Sequence, residues 1–208
     1  MELTKMSVQE FIEVLGSDEP APGGGSASGL AGSMGISLTK MVADLTVGKK
    51  KYQEYDELAK TVQLEAKELQ TQLLEAISED TEAFNQVSEV FSMPKDTNDE
   101  KEGRKKAMQE ALKGATIAPY RIMELCLESL HVTAKIVGKS NVNATSDLGV
   151  AALNLKSALE GAWLNVLINL SGIKDEKFKK EYKNKGRAFL SEGCDLADDI
   201  YKNILKIV

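Results

Sequence analysis

Histidine and cysteine are scarce in this chain of 208 residues, and each scarcity closes off a class of function. The single histidine, His131, has no HExxH-like or other metal-ligand companion, which argues against a histidine-based zinc centre and a serine–histidine triad. The two cysteines, Cys126 and Cys194, lie inside helical patterns without metal-ligand spacing; they read as reduced thiols of a reducing compartment, not a disulfide framework. Basic charge is not in excess: 26 Lys and Arg stand against 32 Asp and Glu, a formal net charge of −6 with the signs interspersed, so no nucleic-acid partner is expected. No long apolar run is present. The best candidate, residues 26–47, is broken by Lys40, Asp44 and many Gly and Ser, and fails as a membrane span. The first residues, MELTKMSVQEFIEVL, carry acids where a secretory signal needs a basic region and an apolar core. A cytoplasmic protein without membrane association is expected. No Pro/Gly/Ser-rich linker interrupts mid-chain, so residues 1–208 are expected to form one helical domain.

What remains is helical periodicity almost throughout, with no alternating β-branched run to suggest a sheet. The fold class expected is all-α: an up-and-down bundle of about five long helices plus a short N-terminal one. The short helix covers about 6–15. The next runs from about Ser26 to Val47, and a third from about Tyr52 to Phe91, stopped before Met93-Pro94. The fourth begins at the capping box Thr97-Asn98-Asp99-Glu100 and reaches about Val137, with a kink expected at Pro119 and Gly138 supplying a left-handed turn. A fifth spans about Ser146–Gly172 and a sixth about Asp175–Ile207.

Two helix faces break the simple pattern. On the third helix, Leu58, Val62, Ala66, Leu69, Leu73, Ile77, Asp80, Phe84, Val87 and Phe91 step by three or four and should face inward, yet Asp80 sits among them. An unpaired carboxylate in an apolar interior costs several kcal/mol, so Asp80 is either tied into a helix-to-helix hydrogen bond or cap, or opens onto a cavity. On the fifth helix, Leu148, Ala152, Leu155, Leu159, Val166 and Leu170 form a core face, while Asp147, Ala151, Asn154, Ala158, Gly161, Asn165 and Asn169 form a second face of small and polar residues. That face is either the wall of a polar slot or a close helix contact.

Gly23-Gly24-Gly25 runs straight into the start of a helix at Ser26, where backbone N–H groups can hold a carboxylate or carbonyl oxygen. The loop follows no strand and lacks the Lys-Ser/Thr ending of a P-loop, so nucleotide-binding geometry is unsupported. Gly29, Gly32 and Gly35 continue at helical spacing and suit close helix packing. Lys49, Lys50 and Lys51 read as a solvated helix end, or in a site for an anionic substrate as a grip on a polycarboxylate tail.

The segments APGGGS, MVADLTVGKKKY, EDTEAF, MPKDT, SNVNATSDLGVAA and GAWLNVLINL occur in order across nearly the whole chain. Together they resemble the cyclodeaminase domain of formiminotransferase-cyclodeaminase and the stand-alone methenyltetrahydrofolate cyclohydrolases related to it. The resemblance implies an all-helical homodimer acting on a tetrahydrofolate derivative, possibly bearing several glutamates, with no redox cofactor and no metal. It implies one of two reactions: opening of 5,10-methenyltetrahydrofolate by water, or closure of 5-formiminotetrahydrofolate with loss of ammonia. The chain carries no recognisable transferase half, which tilts the expectation toward the hydrolase. Asp80 and Asp147 are the catalytic candidates. Gly23, Gly24, Gly25, Ser26, Asn141, Asn143, Asn165, Asn169 and Lys49–Lys51 are the substrate-binding candidates. A reading of another class is a catalytically silent helical dimer that binds folate or a protein.

Overall fold

Six helices account for most of the computed structural model, which describes residues 3–208: α1 (Val8–Leu15), α2 (Gly24–Asp44), α3 (Asp56–Phe91), α4 (Asn98–Ile136), α5 (Thr145–Gly172) and α6 (Glu176–Leu205). Short 3₁₀ turns at Leu3–Lys5, Lys50–Tyr55 and Val142–Ala144 precede α1, α3 and α5. Among the described residues there is no strand, and no helix is long and apolar enough to cross a membrane. Side chains set the ends. The Thr97 hydroxyl accepts from the Glu100 N–H at 3.2 Å while Glu100 accepts from the Thr97 N–H at 2.8 Å, the reciprocal box that starts α4. Gly138, at φ +72°, supplies the left-handed turn after it. The Asp175 side chain accepts from the Phe178 N–H and starts α6.

α2, α3, α4 and α5 form a ring in which each packs on the next, and α6 lies outside against α4 and α5. Their shared core is built from residues such as Ile36, Leu73, Ile122, Met123, Leu130, Leu148, Leu155 and Leu159, all essentially inaccessible to solvent. The glycines of α2 set how closely this ring closes. A Cβ on Gly32 would lie 3.0 Å from Cys126 Sγ, and one on Gly35 would lie 2.7 Å from Leu155 Cγ. The small-residue face of α2 is therefore consumed inside the chain.

The ring helices differ in length, and this positions the site. α2 has 21 residues and α3 has 36, so the two cannot cover each other throughout. α2 begins opposite Asp80, leaving the last turns of α3 without it. The inward stripe of α3 accordingly fails at that end: Val62, Ala66, Leu69, Leu73 and Ile77 are buried, whereas Phe84 is 41% and Phe91 65% exposed. Beyond Asp80 only Val87 of the stripe is packed, against Ala83, Ala115 and Ala118, and the two phenylalanines lie open.

Candidate functional site

α2 starts two residues earlier than its sequence suggests, with Gly23 as N-cap and Gly24 and Gly25 already in its first turn. Asp80, half-buried on α3, stands where a side chain on Gly25 would be. A Cβ there would overlap the Asp80 carboxylate, so only glycine admits α2 so close to α3. Asp80 accepts a hydrogen bond from the Ser26 hydroxyl at 3.1 Å and another from the Ser26 N–H, and the Ser26 hydroxyl also lies 3.1 Å from Thr81 Oγ1. The carboxylate thus caps α2 from the neighbouring helix and at the same time borders a cavity. Burial raises its pKa above the ordinary carboxylate range, and the two Ser26 hydrogen bonds only partly oppose that. Among the described residues no protein group accepts from the N–H of Gly24 or Gly25, leaving both donors at the helix start free for a ligand oxygen.

The cavity, about 280 Å³, is lined by Pro20, Ala21 and Gly23–Ser26, by Asp80, Thr81 and Phe84 of α3, Ala115 of α4, and Asn165, Ile168 and Asn169 of α5. Asn165 donates to the Gly161 carbonyl at 2.9 Å and packs against Gly24. Asn169 donates to the Ala115 carbonyl at 2.6 Å. That carbonyl is free because its helical partner would be the N–H of residue 119, and Pro119 has none. Pro119 lies within an uninterrupted α4. Its consequence at the site is an anchored Asn169. Each asparagine retains an Oδ1 with no protein hydrogen bond among the described residues, an acceptor available to a ligand N–H.

The structure therefore brings together Gly23, Gly24, Gly25, Ser26, Asp80, Asn165 and Asn169. It does not bring the rest. Asp147 lies in the first turn of α5, and the helical rise from there to Asn165 is about 27 Å. Its position at a helix N-terminus gives a carboxylate a favourable dipole interaction on its own. Between the two, Ala151 and Ala158 are buried and Asn154 bonds back to the Val150 carbonyl, so the polar slot expected along this face is confined to its last turns. Lys49, Lys50 and Lys51 precede α3, and the rise from Asp56 to Asp80 is about 36 Å. Lys49 and Lys50 border a separate shallow pocket with Gly48, Gln53 and Asp56, while the Lys51 ammonium lies over the Tyr52 ring. His131 pairs on the surface with Glu192 at 2.9 Å.

Asn141 and Asn143 lie at that distant end as well. Asn141 accepts from the Tyr52 hydroxyl at 3.2 Å and from the Asn143 N–H at 3.1 Å, donates to the Leu45 carbonyl at 3.2 Å, and receives its backbone place from Thr46. It knits the loop after α2 to the loop before α5. Asn141→Ala is expected to destabilise the fold by about 1–3 kcal/mol, read as a lower melting temperature. A variant melting with the parent would remove Asn141 from this role. Thr81, Phe84 and Pro119 are additions to the site: the sequence places Phe84 in the core stripe and gives Pro119 only a kink; the freed Ala115 carbonyl is foreseeable, but its partner on α5 is not.

The family model described as formiminotransferase-cyclodeaminase matches residues 7–188. The chain belongs to this family. It is 37% identical to the methenyltetrahydrofolate cyclohydrolase of Methylorubrum extorquens over 95% of each chain. It is 34% identical to the formimidoyltransferase-cyclodeaminase of Gallus gallus over 88% of its own length, and spans about a third of that longer protein (34%). The crystal structure of formiminotetrahydrofolate cyclodeaminase from Thermotoga maritima superposes with a TM-score of 0.82 at 28% identity, covering 99% of this chain and 97% of that one. The all-α bundle is thus the fold of the formiminotransferase-cyclodeaminase family.

Proposed function

We propose that this family member is a tetrahydrofolate one-carbon enzyme, acting as a 5,10-methenyltetrahydrofolate cyclohydrolase with Asp80 as its general acid–base. The observation that carries the reading is a half-buried carboxyl of raised pKa, set beside two free helix N–H donors and two amide oxygens in one cavity. In the proposed reaction, Asp80 takes a proton from water as its oxygen bonds to the methenyl carbon. The tetrahedral carbon then collapses: the bond to N5 breaks, N5 receives the proton held by Asp80, and the hydroxyl proton leaves to solvent as the formyl C=O forms. General acid–base assistance of this kind contributes roughly 10²–10⁴-fold. The Gly24 and Gly25 N–H groups are placed to stabilise oxygen charge as it develops. No electrons are exchanged, so no redox cofactor belongs to the proposal, in which the carboxylate, N–H groups and amides supply the proton transfer and charge stabilisation.

The Methylorubrum relative, end to end and at the higher identity, supports the hydrolase. The Thermotoga structure supports the second reading, cyclodeamination, in which N10 attacks the formimino carbon and ammonia leaves. That protein is matched over nearly its full length too, so chain length does not separate the two reactions. Purified protein given each substrate decides between them: loss of methenyl absorbance signals hydrolysis, and gain of it with ammonia signals deamination. Neither change would leave a folate-binding or protein-binding dimer.

The proposal extends to a cytoplasmic homodimer. With the glycine face of α2 buried internally, its opposite face exposes Met34 and Met41, which join Leu38, Leu74 and Val150 in an apolar surface across α2, α3 and α5. A second copy of the chain is the occupant that the family resemblance supports. Sedimentation at low micromolar concentration should give twice 22.6 kDa, and Met34→Asp with Met41→Asp should give one chain mass. A monomeric parent would end this part of the reading.

A further inference from the structure

The part of α3 that α2 leaves uncovered continues past the candidate site into a second, cationic cavity. It measures about 380 Å³ and is lined by Phe91, Lys95, Lys101, Arg104, Lys105, Met108, Gln109 and Lys174. The same helix faces serve both cavities. Phe84 borders the first and Phe91, two turns on, the second; Ala115 borders the first and Met108, two turns back on α4, the second. The rise from Asp80 to Phe91 is about 16 Å. α5 closes the far side, where Gln109 donates to the Gly172 carbonyl at 3.0 Å and accepts from the Lys174 N–H at 2.7 Å, fixing the Lys174 segment against α4.

Five cationic side chains meet here on a chain whose net charge is −6. Two are already engaged. Arg104 donates to the Val90 and Phe91 carbonyls, closing the end of α3, and Lys105 pairs with Glu102 at 2.7 Å. Among the described residues, Lys95, Lys101 and Lys174 have no carboxylate within 4.0 Å, although Glu102 feels Lys174 at longer range. The other acids of this segment, Asp96, Asp99 and Glu100, do not line the cavity. Three uncommitted ammonium groups beside the exposed Phe91 ring and the half-buried Met108 thioether suit a ligand that is aromatic near the reacting end and carries several carboxylates farther out.

We propose that this groove holds the aminobenzoyl and γ-linked glutamate portion of the folate, with Phe84, Phe91 and Met108 along the ring and Lys95, Lys101 and Lys174 on the carboxylates. The inference rests on the folate reading above for its ligand. It moves the tail site from Lys49–Lys51, at the far end of the bundle, to the end that holds Asp80. Cations at the C-terminal ends of α3 and α5 also offset those helices' dipoles, but that role changes stability, not dependence on tail length.

The test uses a probe without the reacting pterin. p-Aminobenzoyl-penta-γ-glutamate, titrated calorimetrically at low salt, should bind the parent more tightly than p-aminobenzoyl-monoglutamate. K95Q/K101Q/K174Q should weaken the pentaglutamate about tenfold and the monoglutamate much less, with the difference shrinking as salt rises. For the pentaglutamyl folate substrate KM should rise with kcat retained, the sign of lost uniform binding. The charge-matched K67Q/K139Q/K206Q variant, on surfaces away from the groove, should retain the parental tail preference. Equal losses for both probes, no tail preference in the parent, or the same loss in the charge-matched variant would overturn the proposal. Tail binding in a protein that converts neither folate would overturn the catalytic reading and leave the groove standing.

Discussion

Asp80→Asn is expected to lower turnover by about 10²–10⁴-fold while the protein melts at pH 7 no lower than its parent. The amide preserves volume and can accept the Ser26 hydroxyl and N–H bonds, so the cap on α2 survives. What disappears is the group that moves a proton. The stability arm follows from the direction of the pKa. Burial raises the folded-state pKa of Asp80 above its unfolded value, so the parent holds its full share of stability only below the unfolded pKa and loses it as pH rises through the folded one. At pH 7 the parent carries the cost of a half-buried charge, and the asparagine variant does not. The difference in melting temperature should therefore favour the variant at pH 7 and close as pH falls below about 4. The parent's activity should fall toward acid with a midpoint above the ordinary carboxylate range, where the base becomes protonated. Near-parental turnover would remove Asp80 from the catalytic assignment. A variant that melts well below the parent at pH 7 would make the cap its main role.

That single carboxylate illustrates what could be read from the chain beforehand. Its place in an apolar stripe identified it as either a cap or a cavity wall, and in the fold it is both. The core face of α5, the capping box at Thr97 and the turn at Gly138 follow from local rules of periodicity, hydrogen bonding and backbone geometry, which act over a few residues. The register between helices does not. Nothing within α3 states that α2 begins opposite Asp80, so Phe84 and Phe91 read as core although they border open cavities. Asp147 and Asn169 share a helix face, yet only one reaches the cavity because a face says nothing about distance along the axis. Asn141 carries the donors and acceptors of a substrate-binding amide; at a junction of two loops they engage the Tyr52 hydroxyl and the backbone of Leu45 and Asn143, partners that no local pattern announces.

Gly25→Ala should be the most damaging one-carbon change in this molecule for activity, with a loss of about 10²-fold expected from misplacing a reacting group. Gly25 lies in the first turn of a helix and has no positive φ, so alanine suits its backbone and by propensity would favour the helix by up to about 1 kcal/mol. The cost arises across the gap. The added carbon overlaps the Asp80 carboxylate, a short side chain already tied to Ser26, so either the carboxylate rotates away from the Ser26 donors or α2 retreats from α3. Gly24→Ala provides the graded comparison: its carbon would lie 3.1 Å from Asn165 Nδ2, a contact relieved by a few tenths of an ångström, and its loss should be smaller. The decisive measurement is kcat/KM for the parent, Gly25→Ala, Asp80→Asn and the double variant. If Gly25 acts by leaving room for the Asp80 carboxylate, the two losses describe one event and the double variant should be little worse than Asp80→Asn alone. Losses that multiply would assign Gly25 a contribution separate from Asp80, through its own N–H or through the register of α2.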